Sequence, residues 1–174
     1  MKLRGRILGH VLGLMALLTW GVSNVSAQNH EVKTQQSETN SALELVKTVF
    51  NDATSVTAGN TLWHVIKNAK GTTLGYALSS RPFTKDIIGY RGPTPLVLIL
   101  DNKKHIKKLC LLENNESPGF ISKLSSHGFL DSWNGKSLKE AASSEVDAVS
   151  GATLSSTAIK KNVSILASQA LKTK

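Results

Sequence analysis

The 174-residue chain is long enough for one domain with its own core, and 40% hydrophobic against 19% charged residues excludes a disordered chain. The formal charge of +9 falls to +6 beyond position 27, because Lys2, Arg4 and Arg6 stand at the start and all 12 acidic residues lie after position 30. That excess suits an anionic cofactor, an acidic partner or a membrane surface and is too small to indicate nucleic acid.

The first 27 residues are composed like an export signal: a basic start "MKLRGR", an apolar run "ILGHVLGLMALLTWGV" and a small-residue site "VSA" at Val25 to Ala27. His10 and the glycines make the run a poor membrane span, so cleavage before Gln28 is expected, with an uncleaved N-terminal anchor as the alternative. Both place the protein outside the cytoplasm, in the periplasm or at the cell surface. Residues 28–40, "QNHEVKTQQSETN", are polar and without periodicity, the composition of a flexible linker. The domain is expected over 41–174.

"SALELVKTVF" predicts a short helix capped by Ser41, with apolar rows at Leu43, Leu45, Val46, Val49 and Phe50. "TLWHVIK" and "TTLGYALSS" are β-rich runs across the turn "NAKG", a hairpin; "PLVLILD" and "HIKKLCLLE" form a second across "NKK". Both runs of the second hairpin are apolar on both faces in the middle, so the sheet is expected to be covered on both sides. The single cysteine, Cys110, excludes an internal disulfide and a cysteine-based zinc site, and its apolar run reads as burial. His64, His105 and His127 show no ligand spacing. "KKHIKK", Lys103 to Lys108, reads as a solvated face, with docking of an acidic redox partner as the functional alternative.

"SPGFISKLSSHGFLDSW" predicts a helix opened by Pro118 and ending near Gly128, and "SLKEAASSEVDAV" a second short helix or a loop. From Ser155 or Ser156 onward, Ile159, Val163, Leu166 and Ala170 mark one face of a terminal helix. The fold class is α+β: a small antiparallel sheet built from hairpins, packed with short helices and a C-terminal helix.

The chemistry-bearing stretch is "DAVSGATLSST", residues 147–157, just before that last helix. Free backbone N–H groups and the positive end of the helix dipole converge at such a point, which suits a phosphate. Gly151 permits a positive φ or a close approach, Ala152 leaves room, and Thr153 presents a hydroxyl. From the residues alone, an ordinary helix cap and an anion seat both remain open. Asp147 would repel a phosphate it faced, so it is expected to bond local backbone or to be read by an enzyme that modifies this stretch.

"DAVSGAT" resembles the flavinylation motif of the FMN-binding domain family, which includes flavin-carrying components of the sodium-pumping NADH:quinone reductase and of the Rnf complex. At ordinary residue usage, Asp-x-x-Ser-Gly-Ala-Thr arises by chance in roughly a few of every ten thousand chains of this length. "GYRGP" resembles the family's Gly-Tyr-x-Gly-Pro turn through Gly89, Tyr90, Gly92 and Pro93. "ESPG" resembles its Glu-Thr-Pro-Gly element through Glu116, Ser117, Pro118 and Gly119. Ser117 stands where threonine is commoner, and Asn114 where a histidine is expected. The resemblance implies FMN carried through a phosphoester on Thr153, with Asp147, Ser150, Gly151 and Ala152 completing the attachment motif. It also implies a flavin transferase that installs the cofactor from FAD, and a membrane or exported redox partner.

The two earlier elements then read as ring-side parts. Tyr90 can pack against the isoalloxazine. Ser117 adds a hydroxyl, and the N–H groups of Gly119 and Phe120 offer donors to the flavin carbonyls. Lys123 and Trp133 are weaker candidates for the rim. No Gly-x-Ser-x-Gly elbow, HExxH or nicotinamide fingerprint occurs, so an electron carrier is expected, not a stand-alone enzyme. The rival readings are a module that holds FMN reversibly without a redox cycle, and an exported structural domain with no cofactor.

Overall fold

The computed structural model describes residues 41–173; the expected signal and linker lie outside the described residues. Five strands pair in sequence order as an antiparallel meander: β1 (Ala53–Ala58), β2 (Trp63–Asn68), β3 (Thr73–Ser79), β4 (Leu96–Asp101) and β5 (Ile106–Leu111). Both expected hairpins are present, and the class is α+β as expected. Asn68 Oδ1 closes the first turn by accepting the N–H groups of Lys70 and Thr72, each at 3.0 Å. Asp101 Oδ1 closes the second in the same way, accepting those of Lys103 and His105, each at 2.9 Å. β1 precedes these hairpins; its sequence, ATSVTA, is small, polar and largely exposed, so it lacks an apolar signal.

The alternation along β4 divides its side chains between two cores. Leu96, Leu98 and Leu100 face the larger core, while Ile99 joins Ile66, Ala77 and Cys110 on the other side. The second face is covered by α1, helical over 41–47, whose Val46 is buried there with Leu43, Leu45, Val49 and Phe50 packed around it. Ser41, read as a cap, is already helical. Burial pushes the Cys110 thiol up from its ordinary pKa despite nearby Lys108, leaving it a small apolar group.

The larger core is covered by α2 (Pro118–Ser126), a 3-10 turn (Phe129–Asp131), α3 (Leu138–Ser143) and α4 (Thr153–Lys172). α2 ends before Gly128, which takes φ 65°. A capping box starts α3, with the Ser137 side chain bonded to the Glu140 N–H and the Glu140 carboxylate to the Ser137 N–H. The backbone and hydroxyl of Ser137 hold that carboxyl below its ordinary pKa. α4 buries Ile159, Val163, Leu166 and Ala170 as expected, along with Ala158, Asn162 and Ala167. It begins two residues earlier than its apolar row suggests, because Thr153, Leu154 and Ser155 form a first turn outside that row.

The antiparallel order decides where the loops meet. β4 begins and β5 ends at the same edge of the sheet, so the 80–95 connection and the 112–117 connection emerge side by side. The Leu112 N–H donates to the Pro95 carbonyl at 2.9 Å and fixes them together.

Candidate functional site

Three segments far apart in sequence meet at that edge: the 88–93 turn, the 114–120 turn and the start of α4. The first is closed by the Gly89 N–H donating to the Gly92 carbonyl at 2.8 Å, with Ile88 and Pro93 bridged. It is anchored behind by Thr94, whose carbonyl and hydroxyl both accept from Asn162 Nδ2 of α4, at 2.8 and 3.0 Å. In the second, Asn114 shapes the turn: its side-chain oxygen accepts the Glu116 N–H at 3.0 Å and its amide donates to the Leu112 carbonyl at 2.7 Å.

Glu116 joins all three segments. It is buried, and its Oε1 accepts the Arg91 N–H at 2.9 Å while its Oε2 accepts the hydroxyl of Ser155 in the first turn of α4. A Cβ on Gly89 would lie 2.6 Å from Oε1, closer than real Cβ atoms come, so glycine is what lets the carboxylate reach the turn. Both oxygens are thus occupied by protein groups. Glu116 holds the site together.

The start of α4 departs from an ordinary cap. The N-cap is Ala152, at φ −137° and ψ 31°, and no side chain caps the helix. Gly151 before it takes φ 76°, a region that favours glycine, and the Ala152 N–H closes the turn onto the Val149 carbonyl at 2.9 Å. Ser156 fastens this turn to the helix: its hydroxyl accepts the Val149 N–H at 3.2 Å and lies 2.9 Å from the Ala152 carbonyl. The first-turn N–H groups of this 20-residue helix therefore have no side-chain capping acceptor.

An open cleft of about 180 Å³ lies in front of that turn, lined by Tyr90, Phe120, Gly151, Ala152, Thr153, Leu154 and Ser155. The Tyr90 and Phe120 rings meet edge to face, with centroids 4.9 Å apart. Tyr90 is 54% exposed and Leu154 59%, so the cleft offers apolar surface to whatever sits there. The side chains of Phe120 and Leu154 escaped sequence reasoning. Leu154 had a signal: it is an apolar residue in the first turn of α4 that the buried face does not use.

Gly92, Pro93 and Ser117 are half-buried around the two turns, Pro118 and Gly119 are exposed at the start of α2, and Ser150, Gly151 and Thr153 are exposed. Ser117 is the N-cap of α2 without a capping side-chain bond. Other expectations are corrected. The Phe120 N–H donates to the Ser117 carbonyl at 2.9 Å and is spent inside the turn. Trp133 is 1% exposed and packs edge to face on Phe129, a core residue and not a rim one. Asp147 is exposed and makes no hydrogen bond to another described residue, so of its two expected roles the local backbone bond is not formed. Lys123 does reach the site, with its Nζ beside the Gly151 turn.

The Lys103–Lys104 turn lies at the other end of β4, roughly 20 Å along the strand from the 80–95 connection. Lys104 there sits over the Trp63 ring at 4.7 Å, and Lys108 bonds Thr48 at 3.1 Å. Parts of this cluster serve the fold itself.

The fold and site define a class: an α+β domain whose uncapped helix start faces a small apolar cleft, the complement of a ligand with a phosphate at one end and a flat ring at the other. Residues 89–168 match the model of the FMN-binding domain family, so the chain carries a domain of that family and is a flavin-binding protein. The match spans the 88–93 turn from Gly89, the 114–120 turn and most of α4, and it leaves β1 to β3 outside. No curated protein matches the chain.

Proposed function

We propose that the protein is an extracytoplasmic electron carrier that holds FMN covalently through a phosphoester on Thr153. The observation that carries this reading is the position of Thr153. It is the first residue of an uncapped helix, exposed, and on the wall of the cleft that Tyr90 and Phe120 share. When bound, FMN supplies one- and two-electron chemistry; the chain supplies tethering and orientation. The N–H groups of the uncapped first turn and the helix dipole would stabilise the phosphate charge, and Tyr90, Phe120 and Leu154 would offer apolar contact to the ring.

The size of the cleft favours attachment over reversible holding. At about 180 Å³ and open, it is smaller than the roughly 300–1,000 Å³ of pockets that enclose small molecules. A flavin held there would keep much of its surface in solvent, which would suit electron exchange with a separate partner and make a covalent tether valuable. Export rests on the basic start, apolar run and "VSA" of residues 1–27. No helix among the described residues is long and apolar enough to cross a membrane.

Denaturing electrophoresis of protein made alongside a flavin transferase tests the reading. A fluorescent flavin band migrating with the chain is expected, and a dark band with free flavin at the front would establish reversible binding instead.

Tyr90→Ala is expected to keep the flavin attached while shifting its visible spectrum and reduction potential. Tyr90 stands on the ring side of the cleft, and an aromatic contact there is worth about 1 kcal/mol. An attached mutant with an unaltered spectrum and potential would remove Tyr90 from the site.

A further inference from the structure

We infer that Lys123 is the counter-charge of this site, its ammonium pairing with the phosphate of the FMN on Thr153. The inference rests on the covalent reading above. A Cβ on Gly151 would lie 2.6 Å from Lys123 Nζ and 3.7 Å from its Cε. The ammonium therefore occupies the space that the absent side chain of Gly151 leaves open, two residues before Thr153. It arrives there from α2, which packs on α4, so the charge is positioned by the tertiary fold.

Lys47 and Lys160 pair with glutamates at 3.0 and 3.2 Å. The Lys123 ammonium makes no ion pair or hydrogen bond with a described residue, although it is half-buried. The turn thus brings together a cation without a partner among the described residues, helix N–H groups without a side-chain cap and the Thr153 hydroxyl. All three suit one chemical class, a phosphate ester.

In the transfer reaction, Thr153 Oγ bonds the flavin-side phosphorus of FAD as the bond from that phosphorus to the bridging oxygen breaks. AMP leaves with the electron pair, and the hydroxyl proton passes to a base of the transferase. Negative charge grows on the phosphorus oxygens during this step, and one negative charge remains on the diester product. A fixed ammonium stabilises both.

The test uses the full chain produced without flavin and then incubated with a flavin transferase, FAD and magnesium. Lys123→Met is expected to slow attachment about tenfold or more, and Lys123→Arg to restore most of the rate. Added salt is expected to slow the wild type and leave Lys123→Met little changed. The phosphorus NMR resonance of the attached ester is expected to move in Lys123→Met, a change that a lysine serving only the fold or only transferase docking would not cause. Attachment to Lys123→Met at the wild-type rate, or an unmoved resonance, overturns the inference while leaving the Thr153 reading intact. A wild type that takes up no covalent flavin overturns that reading, and the role of Lys123 falls with it.

Discussion

Thr153→Ala is expected to abolish covalent flavin completely while leaving the domain folded. Made with a flavin transferase, the wild type should gain the mass of FMN less one water, and the mutant should gain nothing. The fold is expected to survive because Thr153 is exposed at the first position of α4 and the structure gives its hydroxyl no internal partner. Its carbonyl, which lies 3.0 Å from the Ser156 hydroxyl, is retained in alanine. Alanine is also the better helix former.

The neighbouring hydroxyls explain why no substitute is expected. Ser155 is fully buried with its hydroxyl donated to Glu116, and Ser156 is fully buried with its hydroxyl engaged by the turn. Neither can reach a phosphorus outside the fold. Ser150 and Thr157 are exposed but are not on the wall of the cleft. Among the described residues no cluster of His, Cys, Asp and Glu is arranged to hold a metal ion, so the transferase is expected to bring the metal and the base. Intact-mass and peptide mapping decide the point: flavin on Thr153→Ala sinks the assignment, and flavin on Ser150 in the wild type moves it.

The other large effect is expected at Trp133, on stability. Trp133 is among the largest fully buried side chains, in the core beneath α2, α3 and α4, with Phe129 at 5.4 Å. Truncating such a residue removes buried apolar surface and leaves a cavity, so Trp133→Ala is expected to cost about 3–5 kcal/mol. Equilibrium denaturation measures the loss. Trp133→Phe keeps most of the packing and is expected to leave the spectrum of attached flavin unchanged. If Trp133→Phe shifted that spectrum without lowering stability, the side chain would belong to the site after all.

Much of the fold was legible because the signals were local. Apolar runs bounded by "NAKG" and "NKK" fixed two hairpins, and the spacing of Ile159, Val163, Leu166 and Ala170 fixed the buried face of the last helix. β1 escaped because an edge strand of Ala, Thr, Ser and Val buries little and carries no strong pattern. Trp133 was misplaced for a related reason. A tryptophan next to a turn reads equally as a rim or a core residue until its neighbours are known.

The sequence by itself determined the family resemblance and the residues that carry it, because Ser-Gly-Ala-Thr before a helix, Gly-Tyr-x-Gly-Pro and Glu-Ser-Pro-Gly are patterns of chemistry at short range. Only the tertiary structure decided how they work together. Glu116 is a ring-side candidate in the sequence; in the fold its two oxygens bond Arg91 and Ser155, 25 and 39 residues away. Five hydroxyls near Gly151 are chemically alike, yet burial withdraws two of them and the cleft selects Thr153 from the rest. Lys123, a weak candidate by position in the chain, comes to lie beside Gly151. The physical reason is common to all three. A hydroxyl, a carboxylate or an ammonium has the same intrinsic chemistry anywhere in a chain, and its role is set by burial and by partners that only the packing of α2 and α4 against the sheet brings near.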